Sequence, residues 1–406
     1  MNFTIRNPYR GMRGLPADVW IIFATTFVNR AGMMALPFLV LYLTKSLGVS
    51  ASLGGLAISF YGIGGLIAAP LAGALSDRIG SFAVMRASLA STGVVLLIIP
   101  LVPSYVGVVA LTFLWAICND SARPATMAAL TGSSSPEQRK VAIAVNRLAV
   151  NLGMSVGPAV GGFLALISFK LVFVVDGITS LAAAGVLSVL LWKSGRTALV
   201  ETKAKAEEPA GKAQRASWIV AFHDRTMRPY LVALLLLNLV FSQHQGAMPL
   251  YLVRDLHNKE SLYGSLFVIN TLMIVVMEVP LNVVMAKWPS QLANAFGVLL
   301  IAIGFGGLAF AHAIPAIIVT VVFWTFGEMI FFPASTAFVA DVAPPGRTGA
   351  YMGAASAAFS LAFVIGPWMG ASLLDAFGAV PTWGVMFAIG VASAAILLLS
   401  SARRDR

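Results

Sequence analysis

Charge is scarce in this chain. Only 11% of its 406 residues are Asp, Glu, Lys or Arg, against about 25% in an ordinary soluble domain. One cysteine, Cys118, excludes internal disulfides and cysteine-based metal sites. Four histidines (His223, His244, His257 and His312) are dispersed over different segments, so no metal-ligand cluster and no enzymatic chemistry are expected. Acids are fewer than bases, 16 against 27, which leaves a net charge of +11. In a soluble protein that surplus would suggest nucleic acid, but no such partner is expected here. Hydrophobic residues make up 59% of the chain and the mean hydropathy is +0.88. The apolar stretches are long runs rather than alternating strands, which indicates a helical integral membrane protein and not a barrel.

Twelve apolar spans are expected, over roughly 17–43, 53–75, 83–103, 106–129, 141–166, 170–192, 228–252, 261–286, 290–311, 314–341, 349–374 and 382–401. Met1–Pro16 is polar and basic, and the run after it is long enough to span, so no cleavable signal peptide is expected. An even number of spans puts both termini on one side. On the opposite side only Lys45, Lys170, Arg254 and Lys259 are basic, whereas the terminal side and the central linker carry most of the remainder. The positive-inside rule therefore places both termini in the cytoplasm, and an inner-membrane location is expected. Residues 193–227, charged and Ala-rich, divide an N-terminal half (1–192) from a C-terminal half (228–406) and read as a cytoplasmic tether.

The fifth span is the densest in helix-packing residues. It reads Gly153-xxx-Gly157-Pro158-xx-Gly161-Gly162. In water so many glycines and a proline make a poor helix. In a bilayer small residues spaced four apart form a groove that admits another helix, and neighbouring helices satisfy the backbone freed by proline. The same design returns 209 positions later. Trp115 matches Trp324, Pro124 matches Pro333, Pro136 matches Pro345, Gly157-Pro158 matches Gly366-Pro367, and Gly161 matches Gly370. Two homologous halves in the same order imply an all-α membrane fold of two pseudo-symmetric six-helix bundles, with a site between them.

These residues resemble the major facilitator superfamily over essentially the whole chain. The loop after the second span, Gly73-Ala-Leu-Ser-Asp77-Arg78-Ile-Gly80, is similar to the superfamily's loop motif, although Ser81 and Phe82 stand where basic residues are usual. The glycine–proline pattern of the fifth span resembles that of the drug:proton antiporter branch, with Ala144 in place of an earlier glycine. The arginine motif of the fourth span is not evident, since Thr112 and Ala116 occupy its place. The resemblance implies alternating access, a proton gradient as the energy source with no cofactor, and Gly73, Asp77, Arg78 and Gly80 as gate residues. Asp77 is expected to face the positive end of the eleventh span near Thr348–Tyr351 and to hold the cytoplasmic side shut.

Charges inside spans are costly, at least ~2.5–3.5 kcal/mol each on insertion scales, and are functional candidates for that reason. Arg30 lies about 20 Å into the first span at 1.5 Å per residue, next to Asn29, and Glu328 lies at similar depth in the tenth. Glu278, in the eighth span, has no basic neighbour in its own span. Glu328 and Glu278 are the proton-carrier candidates, and a Glu328–Arg30 pair across the halves is one alternative. Asp120 and Arg123, three apart on one helix face, are expected to neutralise each other. Arg147 is expected to snorkel to the cytoplasm. Asp176 is expected to cap a helix or face the outer cavity. Ser242, Gln243, His244 and Gln245 are expected to face water. With Met33, Tyr61, Trp324 and Phe331, the residues Asn29, Arg30, Gln243 and His244 form the candidate substrate site. The expected function is secondary active transport of a small organic solute, proton-coupled export of a multidrug type, by a monomer in the lipid bilayer. The alternatives are a proton symporter or facilitator for a sugar, peptide or organic acid, and a non-transporting membrane sensor.

Overall fold

In the computed structural model, residues 14–135, 138–193, 219–285, 288–344 and 347–402 are described. Most of the central linker, the basic N-terminus and the Pro136–Pro345 match lie outside them. All regular elements among the described residues are helical, and twelve are long and apolar enough to cross a membrane. They are α1 Ala17–Ser46, α2 Ala51–Ile79, α3 Ser81–Leu101, α4 Tyr105–Ser133, α5 Arg139–Ile167 and α6 Phe169–Lys193. The second half holds α7 Met227–Asp255, α8 Glu260–Met285, α9 Ser290–Gly307, α10 Ile314–Val342, α11 Thr348–Phe377 and α12 Ala379–Ala402. Each expected span coincides with one helix. Connections are short: a single residue, Gly80, joins α2 to α3 with φ of +88°, a conformation that glycine adopts without strain.

The halves meet through α2 against α11 and α5 against α8. Small residues make this approach possible. A Cβ on Gly55 would stand 2.6 Å from the Pro367 carbonyl, and one on Gly62 about 3.1 Å from the Phe363–Val364 backbone. A Cβ on Gly162 would lie 2.9 Å from the Glu260 carbonyl. Lys45 Nζ reaches Glu260 Oε1 at 2.6 Å, Ser52 Oγ meets Ser372 Oγ at 2.8 Å, and the Ser52 N–H points to Asp375. Arg254 holds Asp375 at 2.6 Å. These contacts run from the middle of the helices to the face opposite the termini, called here the loop face. The halves are therefore closed on that face. On the terminal face, a Cβ at Gly73 or Gly349 would meet no atom within 4 Å, and Asp77, Arg78, Thr348 and Gly349 are exposed.

Two spans are broken, a feature absent from the expectations. α1 is interrupted at Met33–Met34, and Asp176 of α6 accepts from the backbone N–H of Met34 (3.1 Å) and Ala35 (2.9 Å). A buried carboxylate thus satisfies the free donors of the second segment and faces its positive end. α7 is interrupted over Ser242–Gly246.

Candidate functional site

The glycine groove of α5 holds the broken turn of α1. Cβ atoms added at Gly153, Gly157 and Gly161 would run into Arg30 and Ala31, the Met33 carbonyl, and Met34 with Phe38, respectively. Gly162 and the Pro158 carbonyl turn the other way, onto Gly264 of α8. In the second half Gly366 and Gly370 of α11 receive Ser242 and Gln243 at the break in α7, and the Pro367 backbone lies against Gly246. One packing device therefore positions both broken helices, and with them Arg30.

Arg30 reaches a cavity of about 400 Å³ enclosed by α1, α3, α4 and α5, on the terminal side of the midplane. Arg123 and Arg147 line it as well, with Asn29, Thr25, Thr26, Thr126 and Asn146. No carboxylate is among its lining residues. Arg30 Nη1 donates to the Met33 sulfur at 2.9 Å, a weak acceptor. The expected Asp120–Arg123 pair does not form within 4 Å. Asp120 Oδ1 instead accepts from Tyr61 Oη (3.3 Å) and Asn119 (3.1 Å), since α2 packs directly on α4 and brings Tyr61 to it. Asn119 also donates to Tyr61 Oη at 2.8 Å.

Of the two midplane carboxylates of the second half, Glu278 sits at the seam and Glu328 lies within its own bundle. Glu328 Oε2 accepts from Asn270 Nδ2 at 2.9 Å, and Asn270 also donates to Thr325 at 3.1 Å. Glu278 pairs with Arg147 across the seam. Arg147, expected to snorkel to the cytoplasm, thus has an ion-pair partner, which the packing of α8 on α5 supplies. Glu278 and Arg147 are also the charged groups within electrostatic range of Glu328. The alternative Glu328–Arg30 pair is not formed within 4 Å among the described residues, since each contacts its own half.

The remaining candidates are dispersed. Gln243 is fully buried, and its amide donates to the Leu239 and Gly366 carbonyls at 2.9 and 2.8 Å. Ser242 and Gln245 are buried too. Ser242 and Gln243 bond backbone at the break in α7, and all three are buried instead of facing water. His244 Nδ1 lies 2.6 Å from the Phe241 carbonyl and packs on Phe241 and Phe267. Trp324 stacks between Phe241 and Phe305, and Phe331 turns onto Gly297 of α9. The residues that sequence reasoning missed are Asn270, Arg123 and Arg147 as lining or partner groups. Asn270 had a signal: it lies 209 positions after Tyr61, as Glu328 lies 209 after Asn119.

Two six-helix bundles, closed on one face around a seam that carries midplane charges, define a membrane transporter. The Major Facilitator Superfamily family model matches residues 22–327 and 244–406, and the chain belongs to that family. It is 27% identical to the "Uncharacterized MFS-type transporter YqjV" of Bacillus subtilis (strain 168), over 90% of this chain and 88% of that one. It is 23% identical to a "Na(+), Li(+), K(+)/H(+) antiporter" of Planococcus maritimus, over 84% and 85% of the two chains. Among solved structures, a POT family transporter in complex with a thioalcohol conjugated peptide superposes with a TM-score of 0.79. It covers 98% of both chains at 15% identity, a likeness of fold.

Proposed function

We propose that the protein is a proton-coupled transporter that exports a small organic solute by alternating access, with Glu328 carrying the proton. The observation that carries this reading is a pair of neighbouring carboxylates, Glu328 on Asn270 and Glu278 on Arg147 of the other half. A proton on Glu328 removes a charge in electrostatic range of Glu278 and Arg147, which alters the pair that joins the halves and so biases which face of the seam is closed. The relative named as a cation/H(+) antiporter supports coupling by exchange. The scarcity of basic residues on the loop face supports cytoplasmic termini. Outward release then requires the loop face, closed in this conformation, to open.

The test is proton flux in proteoliposomes under an imposed pH gradient, with wild type and Glu328→Gln compared. Loss of coupled proton movement in Glu328→Gln, with folding and solute binding retained, supports the assignment. Normal rate and unchanged pH dependence would overturn it.

A further inference from the structure

We infer that the cavity bounded by Arg30, Arg123 and Arg147 is an anion site, and that the transported solute is a small organic anion bearing a carboxylate or phosphate group. The inference rests on the transporter reading above and names the substrate class of that site.

The cavity wall carries charge of one sign. Three guanidinium groups from three different helices line it, and no acidic side chain does. Arg147 has an ion-pair partner, Glu278, contributed by the other half. Neither Arg30 nor Arg123 has a carboxylate within 4 Å among the described residues. Asp120 and Asp176 offset part of the charge at longer range but hydrogen-bond elsewhere, Asp120 with Tyr61 and Asn119, and Asp176 with the backbone of the α1 break. Guanidinium donors without an oxygen acceptor in a membrane interior are expensive. An arginine fork matches the geometry of carboxylate and phosphate oxygens, and such pairs are the stronger hydrogen bonds.

A second observation is independent of charge. The Thr25 hydroxyl is almost wholly buried, lines the same cavity, and has no hydrogen-bond partner. Buried hydroxyls are normally satisfied, and this one sits unpartnered in the cavity wall with almost no accessible surface, so it meets a solute only when the wall adjusts. An oxyanion provides acceptors for both arginines together. The volume of about 400 Å³ falls in the range of small-molecule sites. Met85, Leu89, Val150 and Met154 give the cavity an apolar wall for the organic part of the solute.

The geometry also shows how such a solute would act on the seam. Arg147 belongs to the cavity and to the ion pair with Glu278 at once. An anion drawn to Arg147 competes with Glu278 for the same guanidinium. Occupancy of the cavity therefore weakens a contact between the halves, which gives the solute differential affinity for the two conformations.

The experiment uses the purified full chain in detergent, with no gradient, at constant ionic strength. Thermal unfolding midpoints are measured against rising phenyl phosphate and benzoate, with benzamide as the uncharged isostere and benzyltrimethylammonium as the cation. A ligand of the native state raises the midpoint with concentration. The expected result is a rise with the two anions, none with benzamide or the cation, and at least tenfold weaker apparent affinity in Arg30→Gln and Arg123→Gln. Arg123→Lys keeps the charge and retains part of the affinity. If the glutamine variants do not fold, Arg30→Lys, which keeps the charge and loses the guanidinium fork, weakens the anions severalfold. Equal shifts from benzamide, tighter binding of the cation, or no shift from either anion would overturn the inference. Phosphatidylglycerol is added in a separate arm, and a shift with that lipid alone also overturns it. Glu328→Gln retains the anion shift, so failure of the proton assignment and failure of the anion site are read separately.

Discussion

Positions 209 residues apart make the same kind of contact in the two halves, with different chemistry. In the first half Tyr61 of α2 meets Asn119 and Asp120 of α4, and in the second Asn270 of α8 meets Glu328 of α10. Where Asn119 is neutral, its counterpart Glu328 is an acid. Where Arg123 lines the cavity, its counterpart Phe332 packs on Phe241 and Phe331. Arg147 corresponds to Ser356. The first half thus concentrates fixed positive charge around a polar cavity. The second places Glu278 at the seam and Glu328 within its own bundle, beside aromatic pairs. On the proposed reading, one plan of matched positions supports a solute-binding half and a proton-handling half.

The largest expected effect separates those roles. Glu328→Gln abolishes coupled proton flux to the level of empty liposomes, whereas Asp120→Asn, which removes the acid next to Asn119, the counterpart of Glu328, retains coupling within about tenfold, or about 1.4 kcal/mol. Equal losses in both would erase the proposed division. Flux measured with a pH-sensitive dye inside the vesicles decides between them.

Much of this plan was legible in the sequence, and the reasons are specific. Length and hydropathy determine where a helix must span, so all twelve spans follow from composition. The glycines of α5 and α11 are informative because only small residues admit the close approaches found at Gly157, Gly162 and Gly370. The breaks in α1 and α7 were not legible. The α1 break is capped by Asp176, more than 140 positions away, and the α7 break is held by Gly366 and Gly370 of α11, more than 120 positions on. Pairing was the least legible feature. Arg147 and Glu278 each suggested an isolated charge, and only the packing of α5 on α8 brings them together. Gln243 illustrates the opposite error, because a polar residue in a span satisfies broken backbone as readily as it lines water.

The seam allows a second comparison, between its closed and its uncrowded ends. Gly162→Val places a branched side chain against the Glu260 carbonyl and Gly264. Overpacking of this kind costs about 1–3 kcal/mol, here charged to the conformation closed on the loop face. Gly73→Val adds the same atoms where nothing lies within 4 Å and does not strain the conformation closed on the loop face. Maleimide labelling of an Ala371→Cys reporter in a Cys118→Ala background reads the difference, since Ala371 is buried against Gly55. Labelling is expected to accelerate with Gly162→Val and not with Gly73→Val. Equal rates would mean that the closed face is not held by this contact.

The Arg147–Glu278 pair ranks below the glycine contact. Arg147 is 58% exposed and Glu278 14%, so the pair is partly screened and contributes on the order of 1 kcal/mol. Arg147→Gln or Glu278→Gln should raise the labelling rate of Ala371→Cys by severalfold at most. The exchange Arg147→Glu with Glu278→Arg restores it if the contact acts by attraction alone. The same exchange removes a guanidinium from the cavity, so anion binding is not restored with it. Recovery of both properties would show that Arg147 has no separate role towards the solute.

The smallest effect belongs to the loop-face pair of Lys45 and Glu260. Its 2.6 Å separation suggests a strong contact, yet the lysine is 41% exposed. Holding a long side chain in one rotamer costs entropy, and water screens the attraction, so exposed pairs contribute about 0.2–1 kcal/mol. The packing of Gly162 and Gly55 lies in the same seam and is insensitive to salt. Lys45→Ala should therefore change Ala371→Cys labelling by less than about fivefold, the factor that 1 kcal/mol sets, and the change should shrink as ionic strength rises. A larger effect, or one that persists in high salt, would mean that charge and not close helix approach keeps this face shut. The order of the four predictions would then have to be reversed at its lower end.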